Sequence, residues 1–428
     1  MSAKENSMFA SFSHPTIRPV PGLMECLAGA FANVAVQEAV QRGPLAGFED
    51  VDGALTAALR QWCASDKTLV EVWQPGLAKL GRFVLEQELD GAGERLGRVC
   101  LELASRLPDF TLRFRCDSGM PLFVGGYVFA PGSEVQACSR DGIFELRIDR
   151  AAVRARLRPD GMALLEAGSA RPAPITLARV EHIHIIESEA SAAAVLQQAK
   201  QWFPVAWDSM HPPSRHGVIA DAVTLLDDVA PHYAEWIRHA LNFIVLLPHI
   251  DNRSCSGSWA DASGMIYMTE PVSALEAAEI LVHESSHQYF HMLERTSDVC
   301  KPGAREMFYS PPVKRDRPLD RILIAYHAFA NVLIMYMAAF EQGHGDQYTV
   351  NRFHAFCEDV ATLEGYLDGS TGLSDLGLTL FLPLRAALAE ARADFVRGIQ
   401  GVERSNLFPA KWRAMDAPGT AEVGAVRA

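Results

Sequence analysis

The chain has no extended block of lysines and arginines, no CxxC pair, no internal repeat and no low-complexity tract. Each absence removes a class of function. Phosphate recognition needs clustered cations, and 39 Lys and Arg against 52 Asp and Glu leave a formal net charge of −13, so no nucleic-acid partner is expected. The eight cysteines (Cys26, Cys63, Cys100, Cys116, Cys138, Cys255, Cys300 and Cys357) are scattered, which is neither a disulfide framework nor a zinc-finger spacing. Reduced thiols are the expectation. The opening MSAKENSMFASFSHPTIRP shows no cationic segment followed by an apolar run, and no stretch reaches about 18 uninterrupted apolar residues. Neither export nor membrane insertion is expected, and a cytoplasmic location is.

What is present is ample core material: 428 residues, 49% of them hydrophobic and 21% charged. The texture predicts an α+β protein in three parts. Residues 1–107 form a helical N-terminal lobe, because from about Pro21 to Leu107 apolar residues recur at three and four. Residues 108–190 form an antiparallel β region, with FTLRFR, PLFVGGYVFA, GIFELRID and RVEHIHIIE separated by Asp-Gly and Pro-Gly. His182 and His184 stand at strand spacing there; an exposed or hydrogen-bonded pair is the plainer reading than a metal site. Residues 191–428 form a mainly helical, zincin-like catalytic part. In it SAAAVLQQAKQWF and Asp221 to Leu241 read as helices, FIVLLPHI and GMIYMTE as strands. Further helices are predicted over Pro318 to Gln342, Gln347 to Leu367 and Leu373 to Ile399, the last interrupted or bent at Pro383.

The chemistry concentrates in Pro271 to Arg295, PVSALEAAEILVHESSHQYFHMLER. Ser273 with Glu276 three residues on reads as a capping box that starts a helix. On that helix His283 and His287 lie one turn apart on one face, so two imidazoles can bind one ion with Glu284 beside them. A third donor has to come from elsewhere, since Phe290 and Leu293 occupy the positions of the close-spaced HExxHxxGxxH version. His291 lies a further turn along, too far to share the ion at about 2.1 Å, and suits a structural role. His327, on the next and otherwise apolar helix, is the leading candidate. Glu294, Asp298, Glu306 and Glu341 are carboxylate alternatives, and Asn331 is placed to orient His327. Tyr289, Tyr309 and Ser258 are candidate pocket-lining groups.

Four segments carry a resemblance: IVLLPHIDNRSCSGSWADASGMIYMTE, ILVHESSHQYFHMLE, FYSPPVKRDRPL and YHAFANV. Together, from about Phe243 to Met337, they resemble the HExxH-motif family associated with biosynthesis of ribosomally made, modified peptides (RiPPs). Members of that family are iron- and 2-oxoglutarate-dependent peptide β-hydroxylases. The resemblance covers about a quarter of the chain. It implies that His283, His287 and His327 hold Fe(II), that O2 is a co-reactant, and that the connector supplies a cation for 2-oxoglutarate. A carboxylate favours a planar bidentate partner, so one of Arg315, Arg317 and Arg321 is expected, with Lys314 adjacent. The implied substrate is a precursor peptide, with no membrane partner.

Read from residues alone, HExxH points first to a cytosolic zinc peptidase in which Glu284 deprotonates a metal-bound water. A third possibility is a catalytically silent helper that takes up a peptide by strand addition. In the oxygenase reading Glu284 remains a site residue without a fixed role.

Overall fold

The computed structural model describes residues 9–16, 22–41, 47–51, 53–86, 92–107, 109–158, 161–166, 174–196, 216–247, 254–397, 408–409 and 412. The chain is an α+β protein of two compact units that cut across the three-part division by sequence. One, the sheet unit, comprises Gly22–His216 and Arg238–Glu270; the other, the helical unit, comprises Met1–Pro21, Gly217–Ile237 and Pro271–Ala428. All eight cysteines are free.

In the sheet unit small residues set how the helical front packs. Its helices are α1 (Leu23–Gln41), α2 (Ala54–Ala64), α3 (Leu69–Val72), α4 (Pro75–Glu86) and α5 (Ala92–Glu102). The buried face of α1 presents Ala28, Ala32, Ala35 and Ala39, and a Cβ at Gly81 of α4 would lie 2.3 Å from the Phe31 ring. Gly97 of α5 similarly makes room for Phe114, where a Cβ would stand 2.5 Å away. Phe114 belongs to a six-stranded antiparallel sheet ordered β1-β2-β5-β6-β7-β8: β1 (Phe48–Asp50), β2 (Phe110–Arg115), β5 (Glu134–Arg140), β6 (Ile143–Ile148), β7 (Ala151–Arg158) and β8 (Gly161–Glu166). Strand β1, inside the helical front, has no counterpart in the sequence reading. FTLRFR alternates as expected, with Phe110, Leu112 and Phe114 turned inward. Asp141 and Gly142 both hold positive φ (52° and 73°), the backbone that a two-residue hairpin between right-twisted strands requires.

The antiparallel expectation for residues 108–190 holds only in part. RVEHIHIIE splits into β10 (Ala178–Val180) and β11 (Ile183–Ile186), folded back at Glu181 (φ 54°). From there β11 pairs in parallel with β12 (Phe243–Leu247), and β12 in parallel with β14 (Met265–Thr269), while β13 (Ser256–Ser258) closes the edge antiparallel. The reason lies in FIVLL: all five of its residues are buried, as a parallel strand covered on both faces requires. Ile186, Val245, Leu247 and Met265 build the core there. A smaller sheet, β3 (Leu122–Val124), β4 (Tyr127–Phe129) and β9 (Ile175–Thr176), adds Phe123 and Val128 to that core. Helix α6 (Glu189–Leu196) follows β11. The remainder of SAAAVLQQAKQWF and the tail after Asp416 lie outside the described residues.

The helical unit is organised around one apolar helix. Its elements are a 3-10 turn at Ala10–Phe12, then α7 (His216–Val229), α8 (Pro231–Ala240, whose residues from Arg238 on belong to the sheet unit), α9 (Ala274–Glu294), the hairpin β15 (Met307–Ser310) and β16 (Arg315–Pro318) with a 3-10 turn at Pro311–Val313 between them, α10 (Leu319–Glu341), α11 (Gln347–Gly369) and α12 (Asp375–Arg397). The predicted helix Asp221 to Leu241 breaks in two at Pro231, whereas α12 stays one helix through Pro383. Helix α10 packs against α9, α11 and α12 and is buried nearly all round, as a helix without a polar face must be. Among the described residues two helices do reach the length and apolarity of a membrane span by composition: α1, with mean hydropathy 1.2, and α10, with 1.8. The α10 window is 83% buried inside the protein, which marks it as a core helix.

Candidate metal centre

Ser273 starts α9 as its sequence position demands, its hydroxyl accepting from the Glu276 backbone N–H at 3.2 Å. The second half of the expected capping box is replaced. The Glu276 carboxylate accepts from the Val272 N–H (2.7 Å) and from the Tyr348 hydroxyl (2.8 Å), so it ties the helix start to α11.

Two turns along, His283 and His287 face each other with ring centroids 4.7 Å apart and planes at 86°. Both are half-buried, and His283 is held edge-on by Phe329 at 4.7 Å. Burial, then the Arg352 charge, push His283 down to about 4. His287 is held well below the ordinary imidazole range by burial, then by neighbouring histidines and the Arg317 charge. Both rings are therefore neutral near pH 7, the form that offers a lone pair to a metal. Glu284 lies between them on the helix and is 2% exposed.

His327 is beside this pair. It is 1% exposed, with its ring 6.1 Å from Phe290 and 6.1 Å from Trp236. Its Nε2 donates to the Phe12 carbonyl at 2.8 Å, which leaves Nδ1 as the lone-pair nitrogen, buried and without a hydrogen bond. Burial lowers it to about 4 against the pull of backbone groups of Phe12, Ser13 and Ser286. The group that orients the ring is thus the Phe12 carbonyl. Asn331 instead donates to the carbonyls of Ser13 (3.0 Å) and of His327 itself (2.9 Å), and accepts from the Tyr233 hydroxyl (2.9 Å).

The other candidates sort by what they touch. His291 pairs with Glu294 at 2.8 Å. Glu306 accepts from Ser370 at 2.9 Å, and Asp298 and Glu341 are exposed. Tyr289 is fully buried, stacked on Trp236 at 4.1 Å and donating to its carbonyl. Tyr309 is 49% exposed, and Ser258 belongs to the sheet unit.

Among the arginines, Arg321 is paired with Asp320 (3.2 Å) and Arg315 is exposed. Arg317 is half-buried and has no carboxylate partner among the described residues. Burial, then the charges of Arg321 and Arg315, lower its pKa against the pull of Asp320. Sequence reasoning missed Arg352, whose guanidinium clasps the buried Glu279 while its charge reaches His283, and it missed Phe12. Only Arg352 left a signal, as a cation on an otherwise amphipathic helix.

The donors fit an ion as a two-imidazole mount. The Nδ1 of His287 is buried without a hydrogen bond, a state that costs roughly 1–3 kcal/mol unless something meets the lone pair. Among the described residues no group of three His, Cys, Asp or Glu converges on one point, so His327 does not stand with the pair as a closed triad. Compared with family models and with curated proteins, the sequence matches none.

Proposed function

We propose that the protein is an Fe(II)- and 2-oxoglutarate-dependent dioxygenase that hydroxylates a side-chain β-carbon of a ribosomally made precursor peptide in the cytoplasm. One observation carries the reading: a half-buried guanidinium, Arg317, that makes no ion pair among the described residues lies close enough for its charge to act on His287, whose Nδ1 is buried without a hydrogen bond. An oxygenase of this type needs a receptor for the cosubstrate's carboxylate beside its metal; a water-activating peptidase does not. The HExxH resemblance supports the same reading.

In this arrangement His283 and His287 would hold the metal, both neutral without deprotonation, and His327 Nδ1 is the candidate third donor. When bound, the iron with 2-oxoglutarate and O2 supplies the oxidising chemistry, one oxygen atom going to the substrate and the other to succinate, with CO2 released. The chain positions. Arg317 takes the carboxylate by charge-assisted hydrogen bonds, and Phe329 fixes the His283 ring. Glu284 is a site residue adjoining both ligands, and it is the general base of the alternative, a zinc peptidase.

The test is anaerobic loading with Fe(II) and then 2-oxoglutarate, read by charge-transfer absorption and, on admitting air, by succinate and a one-oxygen mass gain on the peptide. Arg317→Gln is expected to weaken 2-oxoglutarate binding by roughly ten- to hundredfold, the worth of a hydrogen bond to a charged group. Arg315→Gln should change it little. Peptide fragments formed equally well without oxygen, and lost in Glu284→Gln, would establish the peptidase instead.

A further inference from the structure

The hairpin that carries Arg317 is basic in an acidic chain. Residues 301–321 contain six Lys and Arg against three Asp and Glu, in a protein whose net charge is −13. Arg305, Lys314, Arg315 and Arg317 make no ion pair among the described residues. Interleaved with them, Met307, Tyr309 and Val313 are 56%, 49% and 43% exposed. Basic charge and apolar side chains left open together are an interaction surface.

Its backbone says what kind. Strands β15 and β16 form a two-stranded sheet, paired Met307↔Pro318, Phe308↔Arg317, Tyr309↔Asp316 and Ser310↔Arg315, and no third strand lies on either side among the described residues. Side chains alternate. Phe308, stacked on Tyr366 at 5.0 Å, the buried Ser310 and half-buried Arg317 face the unit, while Met307, Tyr309, Asp316 and Pro318 face solvent. The two edges differ: β16 (Arg-Asp-Arg-Pro) has the charges and proline that deter pairing, whereas β15 (Met-Phe-Tyr-Ser) has neither. The Ser310 hydroxyl on the inner face is buried without a hydrogen bond.

We infer that β15 is the docking edge for an extended acidic peptide, which joins the hairpin as a third strand. This rests on the functional reading above and deepens it. Strand addition supplies main-chain hydrogen bonds along β15, and the period of two sends every second peptide side chain to the face shared with Arg317. Arg305 before β15 and Lys314 and Arg315 at the turn end flank that strand, so carboxylates on either side of the inward residue meet cations.

The experiment uses the full-length protein without added metal, in wild-type and His283→Ala forms, and fluorescence anisotropy. Its probes are a short labelled peptide of alternating Glu and Thr, a Lys/Thr twin, a Glu/Thr twin N-methylated at alternate residues, and phosphatidylserine vesicles. Expected are binding of the Glu/Thr peptide that weakens with salt, about tenfold or greater loss for the Lys/Thr twin, and similar loss in Arg305→Glu with Lys314→Glu. N-methylation should abolish binding. Equal binding of the N-methylated peptide, equal binding of the Lys/Thr twin, or vesicle capture without peptide binding would each overturn the inference. Because no metal is present, the two readings fail separately: succinate formation without this binding removes only the docking edge, and binding without succinate removes only the oxygenase.

Discussion

Two pairs of histidines near in sequence, His182 and His184 in the sheet unit and His283 and His287 in the helical unit, use their rings in different ways. His182 and His184 are two apart near a strand end; His283 and His287 are four apart on a helix. Around Glu181 the chain turns back, so His182 bonds to the Leu241 carbonyl at 3.0 Å while His184 stacks on Phe243 at 5.4 Å and edge-on to Phe123. The neighbouring rings are thus used separately, one as a hydrogen-bond partner and one as an aromatic. On α9 the 3.6-residue period holds the two rings face to edge. Burial lowers all four imidazoles, His184 to about 4, so low pKa alone does not mark the metal site. Convergence does.

The largest expected effect tests that difference directly. With Co(II) or Zn(II) as the probe and calorimetry as the readout, His283→Ala and His287→Ala should each lose more than the roughly 10–100-fold that follows loss of a group behind a ligand. His184→Ala should leave metal affinity unchanged. If His184→Ala were the damaging variant, the ion would belong to the other pair and the comparison would invert. His327→Ala adds a finer division, since loss of affinity makes its Nδ1 a third donor and unchanged affinity makes His327 a tie between α10 and the Phe12 carbonyl.

Each pair also has an ion pair beside it, and here burial decides. Next to His283, Arg352 clasps Glu279, whose side chain is 5% exposed and which also accepts from the Tyr336 hydroxyl. Removing the cation leaves a buried carboxylate uncompensated. Arg352→Met should therefore cost about 3 kcal/mol, the low end for a buried pair because Arg352 itself is 27% exposed. The check is a denaturant melt with unchanged slope. A cost below about 1 kcal/mol would show the pair to be as solvated as an ordinary surface one.

The sequence disclosed whatever local rules govern. Ser273 announced the start of α9, the apolar run after Pro318 announced α10, and the spacing of four announced the facing imidazoles. What escaped depends on partners far along the chain. The Phe12 carbonyl reaches His327 across 315 residues, and no property of either segment foretells it. The parallel pairing of β11 with β12 joins His184 to Phe243, so the antiparallel reading of residues 108–190 failed where the strand's partner came from outside the region. Arg317 became distinguishable from Arg315 and Arg321 only through the hairpin register and what each guanidinium meets. Glu276 was assigned to the right cap and the wrong donor, because the Tyr348 hydroxyl draws its carboxylate aside.

The smallest predicted effect completes the comparison of ion pairs. Beside His182, Glu181 binds Arg238 through two contacts of 2.8 Å, but the side chains are 42% and 28% exposed. Such a pair is worth about 0.2–1 kcal/mol, the charges being solvated in either state. Glu181 also sits at φ 54°, a backbone that costs a side chain with a Cβ roughly 1–2 kcal/mol and glycine almost nothing. Glu181→Gly therefore loses the pair, relieves the turn and gives the unfolded chain more freedom, three terms of similar size and mixed sign. The expected net change is within about 0.5 kcal/mol, set against about 3 for Arg352→Met. Paired melts of the two variants decide it: a Glu181→Gly loss as large as that of Arg352→Met would mean that the strand pair is held by its turn as firmly as the helical pair is held by its buried cation.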